Sequence, residues 1–172
     1  LLYALIGLLL CAPVWTGLGE RVIGHPRSDV WKHLWGDAWF QQSLFSEWPI
    51  PLYTTQVGFP DGGLLYNLDP ITGLVGWLLG FLPLVWVHNL VQTGALVAGA
   101  LGAMVLAERL VEHRSAAWIG GAVYGFSAHI QAVALASGIG ETAHIGGLPW
   151  ALWALIRVLE GAEKRAIWTL AL

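Results

Sequence analysis

The chain reads as an all-α polytopic transmembrane helix bundle with a long outward first loop that carries juxtamembrane helices. Three observations lead there. Hydrophobic residues fill 56% of the 172 positions while charged residues fill 11%, less than half of what a soluble domain of this size carries. Mean hydropathy is +0.64. The chain also holds 11 Trp, and indole rings favour the membrane–water interface. A lipid bilayer is therefore the expected partner. The net charge of −3 supplies no basic field for nucleic acid.

The first element is Leu1–Gly19, which contains no charged residue and is long enough to span the hydrocarbon core. It lacks the basic n-region and small-residue cleavage site of a signal peptide, so it is read as a span. No Met opens the chain and its last residues are still apolar, which reads as the N-terminal part of a longer protein. Cys11 is the single cysteine; with no second thiol in the chain, the redox compartment stays open.

Residues 20–70 form the polar loop, which holds nine of the nineteen formal charges together with Gly and Pro clusters. Within it, Asp29–Glu47 has helical character, and Trp31, Trp35 and Trp39 recur at a spacing of four. Such a stripe predicts an amphipathic helix lying at headgroup level.

From Pro70 to Ala107 no residue is charged, and this run is too long for one straight crossing. Two readings compete. One is a hairpin of two spans turning near His88-Asn89. The other is an interfacial or re-entrant helix over 71–82, then a span over 84–107. Twelve helical residues rise only about 18 Å, too little to cross. The second reading also puts Arg109, Arg114, Arg157, Lys164 and Arg165 on one side in short loops. The long loop on the other side balances three basic residues against six acidic ones. That satisfies the positive-inside rule with the long loop outside, so the second reading is preferred.

Further spans are expected at about 116–136 and 144–159, with another starting at 166. Ala95, Gly99 and Ala103 form a small-residue face, and Gly120, Gly121 and Gly125 another; both suit close helix packing.

The chemistry-bearing cluster is Ser28-Asp29-Val30-Trp31-Lys32-His33-Leu34-Trp35-Gly36-Asp37. A carboxylate at the membrane surface can take a proton from an incoming hydroxyl or bind a cation; equally, it can be the solvated face of an interfacial helix. Asp29 and Asp37, eight residues apart, are expected on roughly one helix face. Lys32, with Arg21 and Arg27, suits a lipid phosphate or plain surface placement. Glu141 and His144 form a second candidate pair at a membrane boundary, able to bind a metal or to cap a helix. His129 with Gln131, and His88 with Asn89, are read as hydrogen-bonding groups within the bundle. No Walker loop, nucleophile elbow or clustered Cys/His metal spacing is present.

Several short stretches share the order and spacing of a known group. They are Ser28 to Gly36, Pro49-Ile50-Pro51-Leu52-Tyr53, Phe59-Pro60-Asp61-Gly62-Gly63, Asn67-Leu68-Asp69-Pro70 and Asn89. Gly102 to Leu110, Ala116–Phe126 and Leu148-Pro149-Trp150 complete the series. Together they resemble membrane glycosyltransferases of the GT-C superfold, in the uncharacterised bacterial branch related to YfhO-type proteins. The resemblance covers nearly the whole chain. It implies sugar transfer from a polyprenyl-phosphate carrier to an acceptor on the outer face of a bacterial cytoplasmic membrane. By position, Asp29 is the group's first-loop acidic residue, the catalytic candidate or the ligand of a divalent cation; Asp37 is the reserve. Lys32, His33, Glu141 and His144 are the expected substrate-binding residues. A membrane transporter or lipid flippase, and a non-catalytic membrane scaffold, are the alternatives. A transporter would show broken helices in paired positions of two halves.

Overall fold

A computed structural model describes residues 1–17, 19–46, 53–64, 74–76, 78–139 and 144–160. These residues are mostly helical. The expected start of a span at 166 lies outside them, as does part of the expected 71–82 helix.

Helix α1 (Leu2–Leu10) and α2 (Ala12–Trp15) form one rod with a joint at Cys11. Pro13 causes the joint, because it has no N–H to continue the ladder. Residues 2–15 rise about 21 Å, shorter than the uncharged run suggested, since Gly17 and the positive-φ Gly19 end the helix. The chain then crosses residues 20–29 to α3 (Val30–Ser46). The Lys32 and His33 amides bond the Asp29 carbonyl at 3.0 and 3.2 Å, so Asp29 precedes the helix rather than lying within it. Beyond α3, two short antiparallel strands, β1 (Tyr53–Thr54) and β2 (Gly63–Leu64), pair Tyr53 with Leu64. An all-α reading did not anticipate this hairpin. Glycine in the turn between the strands permits it, with positive φ at Gly58 and Gly62.

Residues 74–76 and 78 are helical. Pro83 then precedes α4 (Leu84–Ala107), 24 residues long. Proline suits that position because the first amides of a helix lack intrahelical partners. The helix passes His88-Asn89 without turning, which disposes of the hairpin reading. Among the described residues α4 is the one helix long and apolar enough to cross a membrane by length and composition.

The next segment, expected as a span over about 116–136, contains a break. Helix α5 (Arg114–Gly125) stops at Phe126, and α6 (Ala128–Ile130) starts afresh at Ser127, running into a π-helical turn, Gln131–Leu135. The break satisfies itself locally. Ser127 Oγ accepts from the Ile130 amide, and Gln131 Nε2 donates to the Phe126 carbonyl at 2.7 Å. A 3-10 turn (His144–Gly147) leads into the last described helix, α7 (Leu148–Leu159), with Pro149 in its first turn.

Helix α4 is central: α1, α3, α5, α7 and the 3-10 turn all pack on it. Small residues bring the backbones together. A Cβ on Gly125 would meet Ala100 at 2.5 Å, and one on Gly99 would meet the Gly146 Cα at 2.9 Å. The small-residue faces therefore act as contact surfaces.

Leucines cover the outside. Leu148, Leu152, Leu155 and Leu159 recur along one face of α7 and are all exposed, as are Leu2, Leu5 and Leu9 on α1 and Ile119 and Val123 on α5. Meanwhile α4 buries His88, Asn89, Gln92 and Thr93. Helix α4 thus buries polar side chains together with Val87, Val91, Leu96 and Ala100, while large apolar side chains cover much of the outside.

The two ends of the assembly differ. At one end Tyr3 Oη donates to the Trp118 carbonyl at 2.7 Å. Arg109 pairs with Glu160, and Arg114 pairs with Glu108 at 3.2 Å, at that same end. The first loop and α3 lie at the other.

Candidate functional site at the loop end

The site is built where the first loop meets the N-terminal turns of α4. Asn89 uses both halves of its amide there. The Ile23 N–H donates to Asn89 Oδ1 at 2.9 Å, and Asn89 Nδ2 donates to the Arg21 carbonyl at 2.8 Å. The Ile23 carbonyl is met by His88 Nε2 at 3.1 Å; an acceptor there requires the proton on Nε2. Two adjacent side chains of α4 thus read three backbone groups of the loop. Asn89 is 1% exposed and His88 2%, so these bonds form away from solvent, where an unmade bond is costly.

A second attachment follows. Gly24 and Gly138 both have positive φ, and a Cβ on Gly24 would sit 3.2 Å from the Gly138 Cα. Only glycine allows this approach without strain. Ser28 Oγ lies 2.6 Å from the Ser137 carbonyl and 2.7 Å from that of His25, sharing one proton between them. The same oxygen accepts from the Val30 amide at 3.3 Å, which helps satisfy the open start of α3.

Helix α3 is amphipathic in an inverted sense. Its buried face is Val30, His33, Leu34 and Asp37, and its exposed side includes Trp31 and Lys32. Trp35 and Trp39 stack at 6.4 Å. The Trp31 indole donates to the Pro26 carbonyl at 2.9 Å. Asp37 and His33 are each 7% exposed and, four residues apart, share one face. His33 lies in the neighbourhood of His88. One turn further along α4, Gln92 is 1% exposed and its Oε1 has no hydrogen-bond partner among the described residues.

The expected site residues are therefore separated. Asp29 is exposed in the turn before α3, whereas Asp37 is buried on the helix. The reason is the helix start: α3 begins at Val30, which leaves Asp29 in the preceding turn. Lys32 is exposed beside it. Glu141 lies outside the described residues. His144 is half-buried and borders an apolar cavity of about 380 Å³ with Val75, Leu79, Leu90, Gly94 and Ala98. Among the described residues no three His, Cys, Asp or Glu side chains converge as a metal centre. Asp29, alone and exposed, does not make a divalent-cation site by itself.

The clamp on the loop was not foreseen in these terms. The sequence marks His88 and Asn89 as polar groups in an apolar run, the right residues, but assigns them to helix–helix contacts. Gln92 had the same signal and was not singled out.

No known protein family matches the chain, and no curated protein or solved structure matches it.

Proposed function

We propose that the chain belongs to a polytopic integral membrane glycosyltransferase of the GT-C kind. It would transfer a sugar from a polyprenyl-phosphate carrier to an acceptor at the outer face of a bacterial cytoplasmic membrane. The observation that carries this reading is the placement of α3. Helix α3, which bears His33 and Asp37 and follows directly on Asp29, packs against α4, at the end opposite Arg109, Arg114 and Arg157. The leucine exterior and the polar side chains buried on α4 favour a bilayer around the assembly.

In that setting a carboxylate on α3 would accept the proton of the acceptor hydroxyl as it attacks the sugar's anomeric carbon, with the lipid phosphate leaving. Asp29 is open to an incoming acceptor; Asp37 lies on the inward face with His33. Lys32, exposed near Asp29, would meet the phosphate of the carrier, and His33, Glu141 and His144 are the other residues proposed to bind the substrate. No step is assigned to a metal.

A transfer assay in membranes with a labelled polyprenyl-phosphate sugar tests this. Asp29→Asn and Asp37→Asn are compared with the parent chain, and at least one is expected to abolish transfer. Full transfer in both would overturn the catalytic assignment. Sidedness is tested in intact cells with an impermeant maleimide on cysteines placed at Ser46 and Ser115 in a Cys11→Ala background. Labelling at 46 and not at 115 is expected.

One observation favours the transporter reading: the break at Phe126-Ser127, of the kind that lines substrate paths in transporters. Carrier-linked substrate moved across vesicles without sugar transfer would establish it.

A further inference from the structure

We propose that Asn89, assisted by His88, is a positioning residue that sets where the acid-bearing helix α3 stands over the end of the helical assembly. The proposal rests on the transferase reading for its kinetic consequence, but its geometry stands on its own.

The argument starts from what an amide can do that no other side chain of its size can. The loop presents an N–H at Ile23 and a carbonyl at Arg21, two residues apart. A carboxamide offers one acceptor and one donor in a plane and meets both, at 2.9 and 2.8 Å. Leucine would meet neither. Aspartate, with the same shape, would keep the bond from Ile23 N–H but set an anionic oxygen against the Arg21 carbonyl. His88 completes the recognition at the Ile23 carbonyl. The loop strand is thus held through its backbone by α4, much as a neighbouring strand would hold it.

Little chain separates this anchor from the chemistry. From Ile23 to Asp29 there are six residues, and the Ser28–Ser137 bond and the Gly24–Gly138 contact fix the far side of that turn. The register of α3 follows, and with it the inward aim of His33 and Asp37 and the outward stance of Asp29. Asn89 makes two side-chain hydrogen bonds between α4 and the 21–23 segment, and His88 makes one more, so losing the amide's donor leaves the Arg21 carbonyl without its bond from Asn89. A reacting group displaced by about an ångström loses on the order of a hundredfold in rate.

The test uses Asn89→Asp in the full chain in lipid nanodiscs, at pH 8 and pH 5. Near residue 89 the titratable groups on the described elements are few. They are His88 on α4, His33 on α3, Cys11 against Thr93, and Arg21, whose guanidinium donates to the Pro13 carbonyl. The parent chain carries all of them and is measured at both pH values as the control. The first readout is the distance between spin labels on cysteines placed at Lys32 and Leu110, both exposed, in a Cys11→Ala background. The second is the kcat and KM of sugar transfer.

With Asn89→Asp, the distance distribution at pH 8 is expected to broaden and shift. The kcat is expected to fall by about a hundredfold, with KM nearly unchanged. At pH 5 the new carboxyl, protonated, again offers one donor and one acceptor, and both readouts return toward the parent. A merely structural contribution would lower the amount of folded protein without this pH-dependent return. An unchanged distance at pH 8, or a shift at pH 8 that does not return at pH 5, overturns the proposal. Absence of transfer in the parent chain counts against the transferase reading alone; the distance measurement then decides the positioning by itself.

Discussion

At the loop end, Asn89, His88 and Ser28 bind backbone groups at 2.6–3.1 Å in largely buried surroundings. At the opposite end, Arg109–Glu160 and Arg114–Glu108 join exposed charges on helix ends, and Arg157 rides 5.8 Å over the Trp153 ring. The two ends solve different problems. Exposed ion pairs tolerate movement and change, because water replaces either partner at little cost. Buried amide–backbone bonds do not, because the abandoned group has nowhere else to turn. The loop end is therefore built for placement, whereas the charged end is held by pairs that give way at little cost.

The sharpest way to break this contrast is Asn89→Leu, which strands an N–H and a carbonyl. At about 1–3 kcal/mol for each buried orphan, a loss of roughly 2–6 kcal/mol is expected, read as a lower thermal midpoint in detergent. Next is Gly125→Val, which drives a side chain into Ala100. Overpacking of this kind costs about 1–3 kcal/mol, and it tests whether the α4–α5 contact is uniform between the ends. Ser28→Ala removes one bond to the Ser137 carbonyl, for about 1 kcal/mol, and should increase amide exchange at Val30. Smallest is Glu160→Gln, expected to change stability by less than about 1 kcal/mol, and by still less as salt is raised. If Glu160→Gln cost more than Asn89→Leu, the contrast between the ends would be wrong.

The chain order displays much of this and hides the rest for identifiable reasons. Pro83 ahead of an uncharged run announces the start of α4, since proline fixes φ and needs no amide partner. Gly99, Gly121 and Gly125 announce close backbones. The charges at Arg109 and Arg114 announce a turn. The break at Phe126-Ser127 was not legible, because serine and glutamine mid-run look the same whether they cap a new helix or bond a neighbour. Nor was the inward face of α3. The tryptophans at 31, 35 and 39 point to an apolar face, and the spacing of Asp29 and Asp37 points to one shared face for the acids. The helix start at Val30, whose amide donates to Ser28 Oγ, leaves Asp29 behind, and Asp37 is buried. Asn89 was visible as a polar residue, but its partners are backbone groups 66 and 68 positions away, and backbone groups carry no sequence signal.

The interruption at Ser127 has a mechanical meaning as well. An α-helix resists bending through its ladder of amide–carbonyl bonds, and that ladder is cut where Phe126 yields its carbonyl to the Gln131 side chain. The piece beyond the cut is tied to the loop through Ser137, and the piece before it to α1 through Trp118. The segment thus behaves as two stiff levers meeting at one compliant joint, with bending stiffness lowest at Ser127.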